Sequence, residues 1–250
     1  MVDPIAFHIP GLDRAVYWYG IMAALGFLVS LLYWNATARR LGLPHGIGSD
    51  LSFAAIIGGI LGARILYVAA NWAYFSERPS EIIRIDQGGL IFYGGFIAAS
   101  LAIILLARIR KIPVLKLGDF AISALPLGHA FGRIGCLLNG CCYGSECELP
   151  WAVFTADRWR HPVQGYEALF NLALFFFLRH RLLREKCYGG LIAIYLIAYG
   201  AWRFVIEYWR GDARMPGVLG LDAAQTLSLA LVLVGLVLAV ALRLRARPAA

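Results

Sequence analysis

Three stretches hold the residues best suited to chemistry. The first is Gly132-Arg133-Ile134-Gly135-Cys136-Leu137-Leu138-Asn139-Gly140-Cys141-Cys142-Tyr143-Gly144. It follows an almost uncharged apolar run, where an arginine is costly unless an anion partners it. The second is His161-Pro162-Val163-Gln164-Gly165-Tyr166-Glu167, whose proline suits a first helical position and whose carboxylate follows one turn later. The third is Tyr199-Gly200-Ala201-Trp202-Arg203-Phe204-Val205-Ile206-Glu207-Tyr208-Trp209-Arg210. On a helix, Arg203, Glu207 and Arg210 stand at i, i+4 and i+7 and share a face. With Arg133 and Glu167 they make three arginines and two carboxylates, an excess of positive charge suited to an anion. Guanidinium forks match phosphate oxygens bidentately, and phospholipid phosphate is the commonest anion at a membrane surface.

Other residues leave more than one reading open. Arg64, inside the apolar stretch Gly58-Gly59-Ile60-Leu61-Gly62-Ala63-Arg64, is either a structural ion-pair partner or a ligand contact. Tyr93 sits between two glycine pairs that either bring backbone close to a ligand or form a helix-packing notch. His129, four residues before Arg133, reads first as a hydrogen-bonded packing residue. Cys136, Cys141, Cys142 and Cys147 follow a C-x4-C-C-x4-C pattern. Zinc sites prefer closer pairs with separated second halves, a redox C-x-x-C is absent, and on an oxidising face structural disulfides are the default. Cys187, in a basic loop, is expected to be a free thiol. No metal or cofactor is assigned.

The elements that must position these residues follow from hydropathy. The 250 residues are 60% hydrophobic, with a mean hydropathy of +0.70, and the apolar residues fall in long blocks. A membrane span needs roughly 20 predominantly apolar residues. The blocks predict an all-α membrane protein, a bundle of seven transmembrane helices at 15–34, 51–75, 88–107, 117–138, 163–178, 188–209 and 221–242. A soluble bundle would need polar faces at a 3.6-residue period, and the block from Thr226 to Leu242 carries no charge on any face.

The net charge of +8 is distributed by side and does not point to nucleic acid. Arg39 and Arg40, then Arg108, Arg110, Lys111 and Lys116, then Arg179, Arg181, Arg184 and Lys186, and finally Arg243, Arg245 and Arg247 all fall on one side. Fewer fall on the other. By the positive-inside rule the N-terminus is outside and the C-terminus cytoplasmic. The first 14 residues lack a basic n-region, so the first block is expected to stay as a span. Residues 1–250 read as a single integral membrane domain with outer loops 76–87 and 139–162. A transporter would place its ion pairs at the midplane, whereas these polar groups cluster at the outer edge.

The same residues resemble the phosphatidylglycerol–prolipoprotein diacylglyceryl transferase family, in matching order over nearly the whole chain. Trp18-Tyr19-Gly20, Gly62-Ala63-Arg64, Asp119 with Gly132-Arg133-Ile134-Gly135, the H-P-x-Q-x-Y-E run and the Y-G-x-x-R-F-x-x-E-x-x-R run carry the likeness. The resemblance implies that Arg133, Glu167 and Arg203 are most tied to activity. Tyr19, Asn139, Gly144, Tyr199, Glu207 and Arg210 match supporting positions, and Arg64 and His161 fall with them as substrate-binding candidates.

It also implies a bacterial cytoplasmic-membrane enzyme with phosphatidylglycerol and the lipobox cysteine of prolipoprotein signal peptides as substrates and no cofactor. Two departures stand out: Cys136 and Cys141 occupy usual asparagine and glutamate positions, and an H-G-G motif reads Tyr93-Gly94-Gly95. Tyrosine, with an ordinary pKa near 10, is a weaker base than histidine at neutral pH. Either Tyr93 is activated by an arginine, or His161 or Glu167 takes the proton, or the chain does related chemistry. The alternative reading is a lipid-binding or thiol-redox membrane paralogue on the same scaffold.

Overall fold

A computed structural model describes residues 3–8, 15–85, 88–184, 189–212, 216–218 and 220–246. Cys187 lies outside them. The helices are α1 (Trp18–Arg40), α2 (Ile47–Ala70), α3 (Trp72–Glu77), α4 (Phe92–Ile109), α5 (Val114–Ile122), α6 (Leu125–Leu138), α7 (Val163–Arg184), α8 (Gly190–Ile206) and α9 (Ala223–Ala246). The described residues also form two antiparallel hairpins, β1 (Ile5–His8) with β2 (Ala15–Tyr17) and β3 (Val153–Thr155) with β4 (Arg158–Arg160), and 3-10 turns at Pro79–Glu81 and Glu207–Trp209.

Two expected helices are interrupted. The block at 117–138 breaks between α5 and α6, because Pro126 cannot donate its backbone nitrogen to a continuous helix and instead opens the first turn of α6. The block at 51–75 breaks at Asn71, whose nitrogen donates back to the carbonyls of Tyr67 and Val68 and closes α2.

Among the described residues, five stretches are long and apolar enough to cross a membrane: Trp18–Arg40, Ile47–Ala70, Val114–Leu138, Gly190–Trp209 and Ala223–Arg245. Tyr93–Ile109 is apolar but shorter, and α7 buries Gln164, Glu167 and Asn171 along its length. Along α9, Leu229, Leu233, Val237 and Leu244 are exposed, a face that lipid solvates and water does not. The chain is a multi-pass membrane protein.

Contacts divide the chain into two compact units, Leu31–Gly118 and the combination of Met1–Ser30 with Asp119–Ala250. In the Leu31–Gly118 unit, α2 lies against α4 through small residues. A side chain at Gly58 would meet Ala98, Ala99 and Ala102, and one at Gly94 would meet the Gly62 backbone. Such spacing lets backbones approach closely where no hydrophobic effect drives association.

In the other unit, Gly26 of α1 backs onto Gly128 and Phe131 of α6, and Gly135 backs onto Tyr19 and Met22. There α8 packs on α9 where Gly200 meets Ser228 and Val232. The start of α8 is tied down by the buried Asp119, whose carboxylate accepts from Gly189 N at 2.6 Å and Ile192 N at 3.0 Å. These are orphan amides of a helix start, and a carboxylate is their natural partner.

Candidate active site

Three helices of the larger unit bring the chemistry together. On α6, His129, Arg133 and Cys136 recur at helical spacing. Arg133 Nε donates to His129 Nε2 at 3.3 Å. The same nitrogen lies 2.7 Å from Oε2 of Glu167 on α7. Glu167 is wholly buried. The contact to Oε2 is an ion pair off the hydrogen-bond axis, and Oε1 has no hydrogen-bond partner among the described residues. A buried carboxylate so placed is costly unless cations surround it, and Arg133, Arg203 and Arg210 all act on it electrostatically.

From α8 come Tyr195, Tyr199 and Arg203, four residues apart. Tyr195 stacks on Tyr199 with ring centroids 5.5 Å apart, and Tyr199 meets the His129 ring at 5.2 Å. Arg203 pairs with Glu207 one turn on, and its charge also reaches His129 and Tyr199. The i, i+4 reading of Arg203 and Glu207 therefore holds. Arg210 follows a 3-10 turn (Glu207–Trp209) rather than continuing the helix. Its Nε donates to Asp212 Oδ1 at 2.8 Å.

Asp212 is a partner that the sequence reading missed, and it changes the charge account. With Glu167, Glu207 and Asp212 each beside an arginine, carboxylates and arginines balance, so the expected excess of positive charge is absent. What remains for an anion is donor geometry. A guanidinium offers five N–H groups, and the contacts of Arg133 to His129 and Glu167 both run through Nε.

The loop after α6 is sewn to the ends of α7 and α8. Gly144 forms an antiparallel bridge with Arg210, and its nitrogen donates to the His161 carbonyl at 3.1 Å. Ser145 N donates to Trp209 O at 2.7 Å and Gly211 N to Tyr143 O at 3.1 Å. A β-carbon at Gly144 would strike the His161 and Trp209 carbonyls, so close approach requires glycine there. Gln164, buried at the start of α7, donates to Cys141 O at 2.7 Å. Arg160 covers the Tyr143 ring at 4.7 Å and donates to Gly144 O at 3.3 Å. Asn139 caps the end of α6, its nitrogen donating to Gly135 O at 2.9 Å. Gln164 stands inside the H-P-x-Q-x-Y-E run, so a motif reading could have found it. The role of Arg160 had no sequence signal.

His161 contributes mainly through its backbone, while its ring faces the Tyr166 hydroxyl 3.5 Å from Nδ1. Tyr19, at the start of α1, is half exposed and lies within electrostatic reach of Cys136, Cys141 and Arg133. The four described cysteines carry free thiols, so the disulfides expected for Cys136, Cys141, Cys142 and Cys147 are not formed here. Cys136, Cys141 and Cys142 converge instead. Cys147 joins the second hairpin, its nitrogen donating to Trp159 O at 3.1 Å.

Arg64 and Tyr93 belong to the Leu31–Gly118 unit. Arg64 is buried and donates to four carbonyls, Glu81 (2.6 Å), Ile82 (2.7 Å), Gly88 (3.1 Å) and Gly89 (3.1 Å). Of the two sequence readings of this arginine, the structure supports a third variant: a structural hub whose partners are backbone carbonyls. A cavity of about 290 Å³ beside it is lined by Tyr67, Tyr74, Phe75 and Arg84. Tyr93 is exposed near the start of α4.

Fold and site together define a multi-pass membrane protein with a buried arginine–carboxylate site where three helices meet one pinned loop. The chain belongs to the family described as Prolipoprotein diacylglyceryl transferase, whose sequence profile matches residues 4–241. It is 36% identical to the phosphatidylglycerol--prolipoprotein diacylglyceryl transferase of Pseudoalteromonas translucida, over 94% of this chain and 91% of that one. The protein of the same name from Clostridioides difficile is 34% identical over 94% of each chain. That from Fervidobacterium nodosum is 38% identical over 87% of this chain and 78% of its own.

Proposed function

We propose that this chain transfers a diacylglyceryl group from phosphatidylglycerol to the lipobox cysteine thiol of prolipoproteins. The observation that carries the reading is the Arg133–Glu167 pair with Arg203 within reach of the same carboxylate, in a chain of this family. We place it in the bacterial cytoplasmic membrane with seven helices spanning, the N-terminus outside and the C-terminus cytoplasmic. On this reading α4 and α7 span together with the five longer stretches, and residues 1–250 act as one integral domain.

The substrate phosphate is held by Arg133 and Arg203, with Arg210, Tyr19, Asn139 and Tyr199 around it. The incoming sulfur attacks the glycerol carbon bearing the phosphate ester. A carbon–sulfur bond forms, the carbon–oxygen bond breaks, and glycerol phosphate leaves with the bonding pair. The leaving phosphate is already anionic, so arginines stabilise departure without a general acid. Losing one such donor typically costs 10²–10³ in rate. When the phosphate engages Arg133, Glu167 loses part of its ion pair and its Oε1 accepts the thiol proton. Glu207 orients Arg203, and Gly144 and His161 hold the loop that frames the site. Arg64 organises residues 79–85 and 88–89 of its own unit.

The test is complementation. Cells depleted of their own transferase and expressing this chain should add a diacylglyceryl group to a model prolipoprotein, seen as a mass gain. Membrane-inserted chain that gives no gain would favour the second reading, a thiol-active paralogue, for which the convergence of Cys136, Cys141 and Cys142 speaks.

A further inference from the structure

The transferase reading leaves Cys136, Cys141 and Cys142 without a task. Their sulfurs all lie within 4.8 Å of one another. Two left-handed residues build the turn that gathers them, Gly140 at φ 66° and Cys142 at φ 58°. The second is notable because a residue with a β-carbon is disfavoured there, so the surrounding structure holds Cys142 over the end of α6. The turn is fixed on both sides. Cys141 N donates to Cys136 O at 3.1 Å, and buried Gln164 grips the Cys141 carbonyl at 2.7 Å.

We propose that Cys136, Cys141 and Cys142 form a trithiolate site for a soft thiophilic cation of the zinc class. Zinc–sulfur bonds of about 2.3 Å in a tetrahedral arrangement set sulfurs about 3.8 Å apart, which these side chains reach by small rotations. Thiolates select zinc or copper(I) over magnesium or calcium. A single disulfide would use two of the sulfurs and strand the third beside them, whereas one ion satisfies all three. Arg133 and Arg210 both act on this sulfur group, but each already has a carboxylate partner, so a divalent ion is what offsets most of the negative charge that three thiolates bring. Cys147, pinned to the second hairpin, stands outside the site. Three protein ligands leave a fourth position for water or another exogenous ligand. The proposal does not depend on the transferase activity.

The test uses the purified, reduced full chain in detergent. After equilibration with Zn²⁺ and removal of excess, elemental analysis should find one ion per chain. Cd²⁺ should produce sulfur-to-metal charge-transfer absorption, and bound ion should protect three thiols from N-ethylmaleimide. Cys147→Ser should keep all three properties. Since even second-shell partners are worth 10–100-fold in metal affinity, Cys136→Ser, Cys141→Ser and Cys142→Ser should each weaken binding by at least about a hundredfold. Helical circular dichroism checks that the variants remain folded, and the protection measurement on the unmutated chain needs no variant. Absence of retained ion and of charge-transfer absorption would overturn the proposal. So would equal loss in Cys147→Ser, or a bond between two of the three sulfurs that excludes the ion.

Discussion

Glu167 Oε2 lies 2.7 Å from Arg133 Nε with the carboxylate wholly buried, so two oppositely charged side chains from α6 and α7 neutralise each other inside the larger unit. Breaking a buried pair by removing one partner costs about 3–5 kcal/mol, while replacing both with apolar residues is often neutral. Glu167→Gln should therefore lower thermal stability and reduce transfer by at least about a hundredfold. The double variant Arg133→Met/Glu167→Leu should recover the melting temperature and stay inactive. Melting in detergent and a lipidation assay separate the two effects; a stable, active double variant would contradict the assigned roles.

Asp119 acts on stability and not on chemistry. Its two oxygens accept the Gly189 and Ile192 amides, and losing a cap costs about 0.5–2 kcal/mol. Asp119→Ala should lower the melting temperature while the protein that remains folded keeps its substrate KM. A selective rise in KM would place Asp119 nearer the substrate than its contacts suggest.

Gly144→Ala should be inactive although the chain still inserts. The added β-carbon meets the His161 and Trp209 carbonyls, and the loop must leave the end of α8. Limited proteolysis should show faster cleavage within 139–162 than in the unmutated chain.

Arg64 offers a parallel case in the other unit. Its planar fork serves the Glu81, Ile82, Gly88 and Gly89 carbonyls together, which a lysine with one ammonium centre cannot do. Arg64→Lys should thus speed hydrogen exchange in residues 79–85 and 88–89. Unchanged exchange would show that the four contacts hold nothing in place.

In metal-free, reduced protein the Cys142 thiol is pushed down from its ordinary value, by a hydrogen bond from Cys136 first and by the charges of Arg210 and Arg133 after it. A lowered value keeps the thiolate present to lower pH. Alkylation of Cys142 should therefore persist below the pH at which a free thiol of pKa about 8.5 becomes unreactive. Rates across a pH series, read by mass spectrometry of the peptide carrying Cys142, decide it.

How much of this was legible in the sequence follows from which contacts are local. Arg203 with Glu207, and His129 with Arg133, are separated by one helical turn, so spacing alone placed them together. The helical blocks were legible because lipid demands long apolar runs. Pro126 marked the break before α6, yet hydropathy averaged it away. The β3–β4 hairpin turns at Ala156 and Asp157, both with positive φ, and alanine there gives no turn signal. Asp212 was missed because it follows the motif instead of lying in it. The four carbonyls around Arg64 were invisible because backbone acceptors have no residue type.

The account rests on guanidinium groups gripping the phosphate of a lipid whose glycerol carbon is then captured by sulfur. The most direct measurement reconstitutes the purified chain in vesicles with a lipobox peptide and follows glycerol phosphate release together with peptide mass. With phosphatidylglycerol present, release and diacylglyceryl gain should rise together, and Arg133→Ala and Arg203→Ala, though inserted, should give neither. Equal gain in vesicles lacking phosphatidylglycerol, or undiminished gain with Arg203→Ala, would contradict the account.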